Sequence, residues 1–154
     1  MIKAKLSNSF QVHLLAISTK YAARAYTIDP YGGHSELDFT FASDTEAYLS
    51  CSLEWHNRLY VFGGYNQRRQ ISRVVGCDLK RVGNLAFDFY YGACTTINVD
   101  QVILCFPRNN KNRCQKAVDP EGAFTVMPST RYEHYETRIA STNGEVLIFL
   151  HKTS

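Results

Sequence analysis

Leu59-Tyr60-Val61-Phe62-Gly63-Gly64 is an apolar run that ends in a glycine pair, and its apolar part recurs along the chain. Successive runs are separated by 45, 43 and 44 residues. A regular step of this size is the sequence signature of a repeat architecture. The other runs are Leu14-Leu15-Ala16-Ile17, Val102-Ile103-Leu104-Cys105 and Val146-Leu147-Ile148-Phe149.

Segments in which apolar and polar residues alternate follow the first three runs, at 37–41, 85–89 and 124–126. Period-two alternation is typical of a half-buried strand. Each unit is therefore predicted to be a small antiparallel sheet. Its order is a buried inner strand, a hairpin, a returning strand and an outer alternating strand.

The step and the strand content together predict an all-β fold, a partial β-propeller. It would hold about three four-stranded antiparallel blades plus the first strand of a fourth. The predicted units are 11–49, 50–92, 93–137 and 138–154, and residues 1–10 form an N-terminal extension. Because propellers typically close with 4–8 blades, we expect the chain to be part of a longer protein or to self-associate.

Composition excludes two classes of protein. With 154 residues, 45% apolar and 13% aromatic, the chain is too rich in apolar side chains to be disordered. No window approaches the ~18–20 uninterrupted apolar residues of a membrane-spanning helix, so no membrane span is expected. A net charge of +3 is too small to imply a nucleic-acid partner.

The strand that ends at Phe62 and is followed by Gly63 and Gly64 resembles the kelch repeat, in which a hydrophobic run ends in a glycine pair. Glycine suits such a sharp strand exit because it adopts positive φ without steric cost. Residues 65–71 supply the hairpin, as in kelch-like blades. The resemblance covers residues 11–154, with its motif support in 48–91. It implies a propeller, and kelch-type propellers include copper oxidases that use Tyr, His and Cys.

Five cysteines lie at positions 51, 77, 94, 105 and 114, without the CxxC spacing of a structural zinc site. A hairpin centred near residues 109–110 would place Cys105 opposite Cys114, where opposed Cβ atoms are close enough to be bridged. We therefore predict a Cys105–Cys114 disulfide if the protein is secreted. The cysteine set resembles that of a secreted kelch variant, which implies an extracellular location. Buried reduced cysteines in a cytoplasmic protein are the alternative.

No catalytic constellation, cofactor motif or metal-ligand spacing is present. The five histidines show no HxH, HExxH or HxxxH pattern, and the chain has no GxSxG or phosphate-binding loop. Asp38 and Asp88 fall between apolar strand positions, so we expect them to face water. No catalytic residue, metal or cofactor is assigned, and the chain is predicted not to be an enzyme.

Basic residues are concentrated in 55–118, which carries ten basic and three acidic groups. Equivalent loops of adjacent blades emerge on one face, so the cations that flank two successive hairpin tips should cluster there. Such a surface attracts anionic partners; solvated loop tips that protect sheet edges are the alternative. The cations are Arg68, Arg69 and Arg73 at one tip, and Arg108, Lys111, Arg113 and Lys116 at the next.

The leading hypothesis is a non-enzymatic module that binds proteins, including partners with an acidic surface, through these inter-strand loops. The aromatic residues lie in predicted strands rather than among the cations, which argues against a nucleic-acid platform. Two alternatives stay open: a copper oxidase-like enzyme with residues converging at the propeller axis, and a truncated structural fragment of a longer propeller.

Overall fold

The structure is a computed structural model, which describes residues 49–76, 78–97 and 100–134 in full. Outside these ranges it describes Gly33 and the backbone of five strands. The thirteen strands found in the described part of the chain are antiparallel to their neighbours, which confirms the all-β prediction. None of the described residues belongs to a helix that is long and apolar enough to cross a membrane.

The strands form four sheets in chain order. The first sheet contains β1 (Val12–Ile17), β2 (Ala22–Ile28) and β3 (His34–Thr40). The second contains β4 (Cys51–Trp55), β5 (Arg58–Phe62), β6 (Gln70–Val75) and β7 (Asp78–Asn84). The third contains β8 (Ala93–Ile97), β9 (Gln101–Cys105), β10 (Cys114–Ala117) and β11 (Thr125–Val126), and the fourth contains β12 (Arg138–Thr142) and β13 (Glu145–Phe149).

The strand count of the last unit differs from the prediction. The second and third sheets have four strands each, whereas the first has three among the residues described. The prediction of a single strand in the last unit was wrong, because β12 and β13 pair through Ala140 and Leu147.

The position of the apolar runs within the sheets also corrects the prediction. The runs at 59–62, 102–105 and 146–149 lie in β5, β9 and β13, which are second strands. Among the strands that the structure describes, only the run at 14–17 lies in the first strand of its sheet. The first strands β4 and β8 are only half-buried over most of their length. Ser52, Thr95 and Thr96 leave them without an apolar run. These first strands lie beside one another, β4 against β1 and β8, and β8 against β12.

The segment 85–89 is not a strand, although its alternating burial was predicted correctly. Leu85, Phe87 and Phe89 are buried, but β7 already ends at Asn84. The amide groups of Leu85 and Phe89 donate to the carbonyls of the β5–β6 loop, not to a neighbouring strand. In the third unit, the predicted strand 124–126 is limited to the two residues of β11.

One hydrophobic core joins the second and third sheets. Residues of both sheets and of the segment between them form a single cluster of buried side chains. Burial of each large side chain contributes roughly 1.5–3 kcal/mol, so this cluster holds the two sheets together. Its members are Trp55, Tyr60, Phe62, Ile71, Leu85, Phe89, Val102, Leu104, Ala117 and Phe124.

Two disulfides link strands within the described residues. Cys105 and Cys114 are paired in register across β9 and β10 and are bonded, which confirms the predicted bridge. A second disulfide joins Cys51 of β4 to Cys94 of β8, so it ties the second sheet to the third. Two disulfides indicate an oxidising setting. Cys77 lies outside the described residues.

Candidate functional site

Three loops meet at one end of the second and third sheets. Gln70 pairs with Asn84, so the β5–β6 loop (63–69) and the connection to the third sheet (85–92) leave the same end of the second sheet. Ala93 pairs with Cys105, which brings the β9–β10 loop (106–113) to this end as well. Residues 127–134 join them, because the amide of Thr130 donates to the carbonyl of Asn112. We call these four segments the loop surface.

Phe89 fixes two of the loops to each other. Its amide donates to the carbonyl of Arg68 (2.7 Å), and its carbonyl accepts from the amide of Gly64 (3.0 Å). This contact requires glycine at position 63, where φ is +64° and an added Cβ would lie 1.8 Å from the carbonyl oxygen of Phe89. The glycine pair, at positive φ in both residues, therefore also makes room for the neighbouring connection.

Arg68 is held against two tyrosines of the loop surface. Its guanidinium carbon lies 4.8 Å from the ring centroid of Tyr90 and 5.9 Å from that of Tyr65. Its Nε donates to the backbone carbonyl of Tyr65 (3.0 Å). The two rings meet edge to face, with centroids 6.2 Å apart. Cation–π and backbone contacts together orient the guanidinium of a side chain that is still 42% exposed.

Asp88 lies beside Arg68 and Arg69. Nε of Arg69 donates to Oδ1 of Asp88 (3.0 Å), whereas the nearest contact to Arg68 is 3.9 Å long. The Asp88 side chain is 36% exposed, so it faces water as the sequence predicted. Exposed ion pairs contribute only about 0–1 kcal/mol, and this one leaves the surface strongly basic.

Arg108 joins the surface from the third sheet. Its amide donates to the carbonyl of Tyr90 (3.1 Å), and its guanidinium carbon lies 6.0 Å from the ring centroid of Tyr91. Tyr91 is 45% exposed and has φ at +57°, a conformation that is strained for a bulky residue. Its amide donates to the carbonyl of Leu49, which also has positive φ. Strained residues of this kind cluster at binding sites.

Lys111 and Arg113 belong to the same surface. The loop that carries them is closed by hydrogen bonds from the amide of Phe106 to the carbonyl of Arg113 and from the amide of His134 to the carbonyl of Lys111. Beside this loop, Arg131 lies 5.5 Å from the ring centroid of Tyr132, which is 68% exposed. No sequence pattern marks this arginine–tyrosine pair, because both residues follow the last predicted strand of their unit.

The predicted cation Arg73 is elsewhere. It pairs with Glu121 (2.8 Å) in the β10–β11 connection, which leaves the end of β10 opposite the loop surface. Glu121 also accepts a hydrogen bond from the hydroxyl of Tyr60 (2.8 Å). Burial of Tyr60, reinforced by this bond, raises the pKa of its phenol above the usual value. Lys116 is likewise removed from the loops, since it lies within β10.

The aromatic residues are also placed differently from the prediction. Tyr65, Tyr90 and Tyr91 lie in the loops among the cations, not in strands. Their sequence positions, next to a glycine pair and just beyond an alternating segment, were the available signal. Their placement therefore does not exclude a nucleic-acid partner. Among the residues described, no three His, Cys, Asp or Glu side chains converge as metal ligands.

Comparison with known proteins adds a likeness of fold. No family model matches the sequence, and no curated protein matches it. Among 64 matching chains of solved structures is a novel fungal alcohol oxidase with catalytic diversity among the AA5 family, in complex with copper. The superposition has a TM-score of 0.51 at 9% identity and covers 82% of this chain. This chain spans 33% of the length of that one. The likeness is one of fold alone.

Proposed function

We propose that this chain is a non-enzymatic protein-interaction module of kelch-like propeller type, which binds partners through the loop surface. The observation that carries the proposal is a set of three arginines that lie against exposed tyrosines: Arg68 against Tyr65, Arg108 against Tyr91, and Arg131 against Tyr132. Arginine and tyrosine are enriched among the residues that dominate binding energy at protein interfaces. The surface is basic, so partners with an acidic surface fit it.

The propeller arrangement is supported by the repeat step and by the first strands, which lie side by side in successive sheets. The kelch assignment is supported by Gly63 and Gly64 at the strand exit. Because propellers close with 4–8 blades, further sheets would come from a longer chain or from a second copy. The two disulfides support an extracellular location for the module.

Charge reversal tests the binding surface. The double variant Arg68→Glu/Arg108→Glu is compared with Lys80→Glu/Lys116→Glu, which changes the net charge equally but at exposed lysines on strands. Each immobilised full-length chain is incubated with extracellular fluid from its source, and the bound proteins are quantified by mass spectrometry. We expect the arginine variant to lose its partners by more than tenfold, since each anchor residue contributes about 2 kcal/mol or more. Unchanged partners on the arginine variant would exclude this surface.

The second candidate is an enzyme of the copper oxidase type, with residues that converge at the propeller axis. It is favoured by one observation, the likeness of fold to an alcohol oxidase in complex with copper. Metal analysis of the purified full chain, after incubation with copper and dialysis, separates the two candidates. One equivalent of retained copper favours the enzyme, and none favours the interaction module.

A further inference from the structure

The carboxylate of Asp88 pairs with two arginines of the loop surface, Arg68 and Arg69. Its carboxylate accepts from Nε of Arg69 at 3.0 Å and lies 3.9 Å from a terminal nitrogen of Arg68. The three side chains are between 36% and 61% exposed. Ion pairs this exposed are weakly held, so another carboxylate can replace Asp88 at low cost.

Arg68 does not depend on Asp88 for its position. Its Nε is bonded to the carbonyl of Tyr65, and its guanidinium lies against the ring of Tyr90. The backbone next to Asp88 is fixed independently, through both hydrogen bonds of Phe89. Loss of the Asp88 carboxylate would therefore leave Arg68 in place, and it would open one terminal nitrogen of Arg68 and Nε of Arg69 to another acceptor.

The geometry also selects the chemistry of the ligand. Arg68 lies against the ring of Tyr90 and Arg108 against that of Tyr91, so a guanidinium covers one face of each ring and leaves less of it open to a stacking base. A guanidinium in this position offers parallel N–H donors, which fit a carboxylate bidentately. The surface itself places a carboxylate there.

We propose that Asp88 is an internal competitor, which holds the place that a carboxylate of an acidic partner segment takes at Arg68 and Arg69. This inference rests on the proposed function, because it names the chemical group that the loop surface recognises. Binding then exchanges one carboxylate for another, with no change in the sheets beneath.

The test compares Asp88→Asn with Asp100→Asn, a change of equal charge before β9. The full chain is titrated with fluorescent twelve-residue peptides of alternating Glu and Gly or alternating Gln and Gly, and with a twelve-residue oligothymidylate, at about 0.15 M salt. Asp100 lies at the other end of the third sheet, and a five-residue strand spans about 17 Å, beyond the screening length of about 8 Å. We expect Asp88→Asn to bind the Glu peptide about two- to fivefold more tightly, and Asp100→Asn to match the wild type.

Three results with the peptides would overturn the proposal. The Glu peptide binds no better than the Gln peptide, Asp88→Asn leaves its affinity unchanged or weaker, or both variants gain equally. Tighter binding of the oligothymidylate than of the Glu peptide would also overturn it, in favour of a polyanion surface. The charge-reversal experiment with natural partners is independent, so the loop surface can be supported there even if the acidic peptide fails here.

Discussion

Gly63 shows how a single position can couple two loops. An added Cβ would meet the carbonyl oxygen of Phe89 at 1.8 Å and would also strain a backbone at φ +64°. Gly76 has nearly the same φ, +62°, but nothing within 4 Å of its added Cβ. Comparison of the two therefore separates the steric contact from the cost of the left-handed conformation.

We expect Gly76→Ala to lower the free energy of unfolding by about 1–2 kcal/mol, the cost of left-handed backbone alone. Gly63→Ala should cost about 3 kcal/mol or more, because the Phe89 connection must also move. Urea titrations of both variants measure the difference. Equal losses would show that the contact with Phe89 carries no energy.

Tyr60 gives a prediction in alkaline solution. Its pKa is raised in the folded chain, so above pH ~10 the unfolded chain releases the phenol proton while the folded chain retains it. Stability must then fall as the pH rises, because the unfolded state binds fewer protons. The stability difference between wild type and Tyr60→Phe should be constant below pH ~10 and should shrink above it. Urea titrations between pH 8 and 11 test this, and a difference that stays constant throughout would contradict it.

At the scale of the element, the apolar runs predicted correctly that strands form there, but not the position of each strand within its sheet. Strands β5 and β9, which contain apolar runs, are buried on both faces. A hydrophobic pattern in the sequence indicates burial of this kind. The first strands β4 and β8 are half-buried and carry Ser and Thr, so the hydrophobic pattern does not predict them. The segment 85–89 shows the opposite failure. Its burial alternates as in a strand, but its amide groups donate to carbonyls of the β5–β6 loop and not to a neighbouring strand.

The disulfides differ in how far they could be predicted. The Cys105–Cys114 bridge follows from a local hairpin, which is predicted by the turn residues between the two cysteines. The Cys51–Cys94 bridge needs the first strands of two sheets to lie side by side, which no local pattern reports. The same limit applies to the loop surface, where Arg68 meets Tyr90 only because residues 85–92 fold back onto the β5–β6 loop.

The stability lost when a disulfide is removed should increase with the length of chain that the disulfide closes. Chain entropy gives about 2–3 kcal/mol for the separation of 9 residues between Cys105 and Cys114, and about 4 kcal/mol for the 43 residues between Cys51 and Cys94. We expect Cys51→Ala/Cys94→Ala to be the more destabilised double variant in thermal melts. A larger loss from Cys105→Ala/Cys114→Ala would show that the short bridge acts by another mechanism.

The second and third sheets are joined by the core that they share. The one tryptophan, Trp55, belongs to the second sheet, and Leu104, fully buried in the same cluster, belongs to the third. If the cluster makes the two sheets one cooperative unit, a cavity in the third sheet must shift the unfolding transition that is measured by a probe in the second. Such coupling would also keep Arg68 and Arg108, which come from different sheets, at a fixed separation for a partner.

Leu104→Ala tests this coupling directly. Truncation of a fully buried leucine costs about 2–5 kcal/mol, and we expect the loss to appear equally in Trp55 fluorescence and in far-UV circular dichroism. Coincident urea transitions for both probes, in wild type and variant, are the mark of one cooperative unit. If the fluorescence transition keeps its midpoint while the dichroism transition shifts, the sheets unfold separately. The loop surface would then be an assembly of two independent parts, and a partner would have to supply the energy of aligning them.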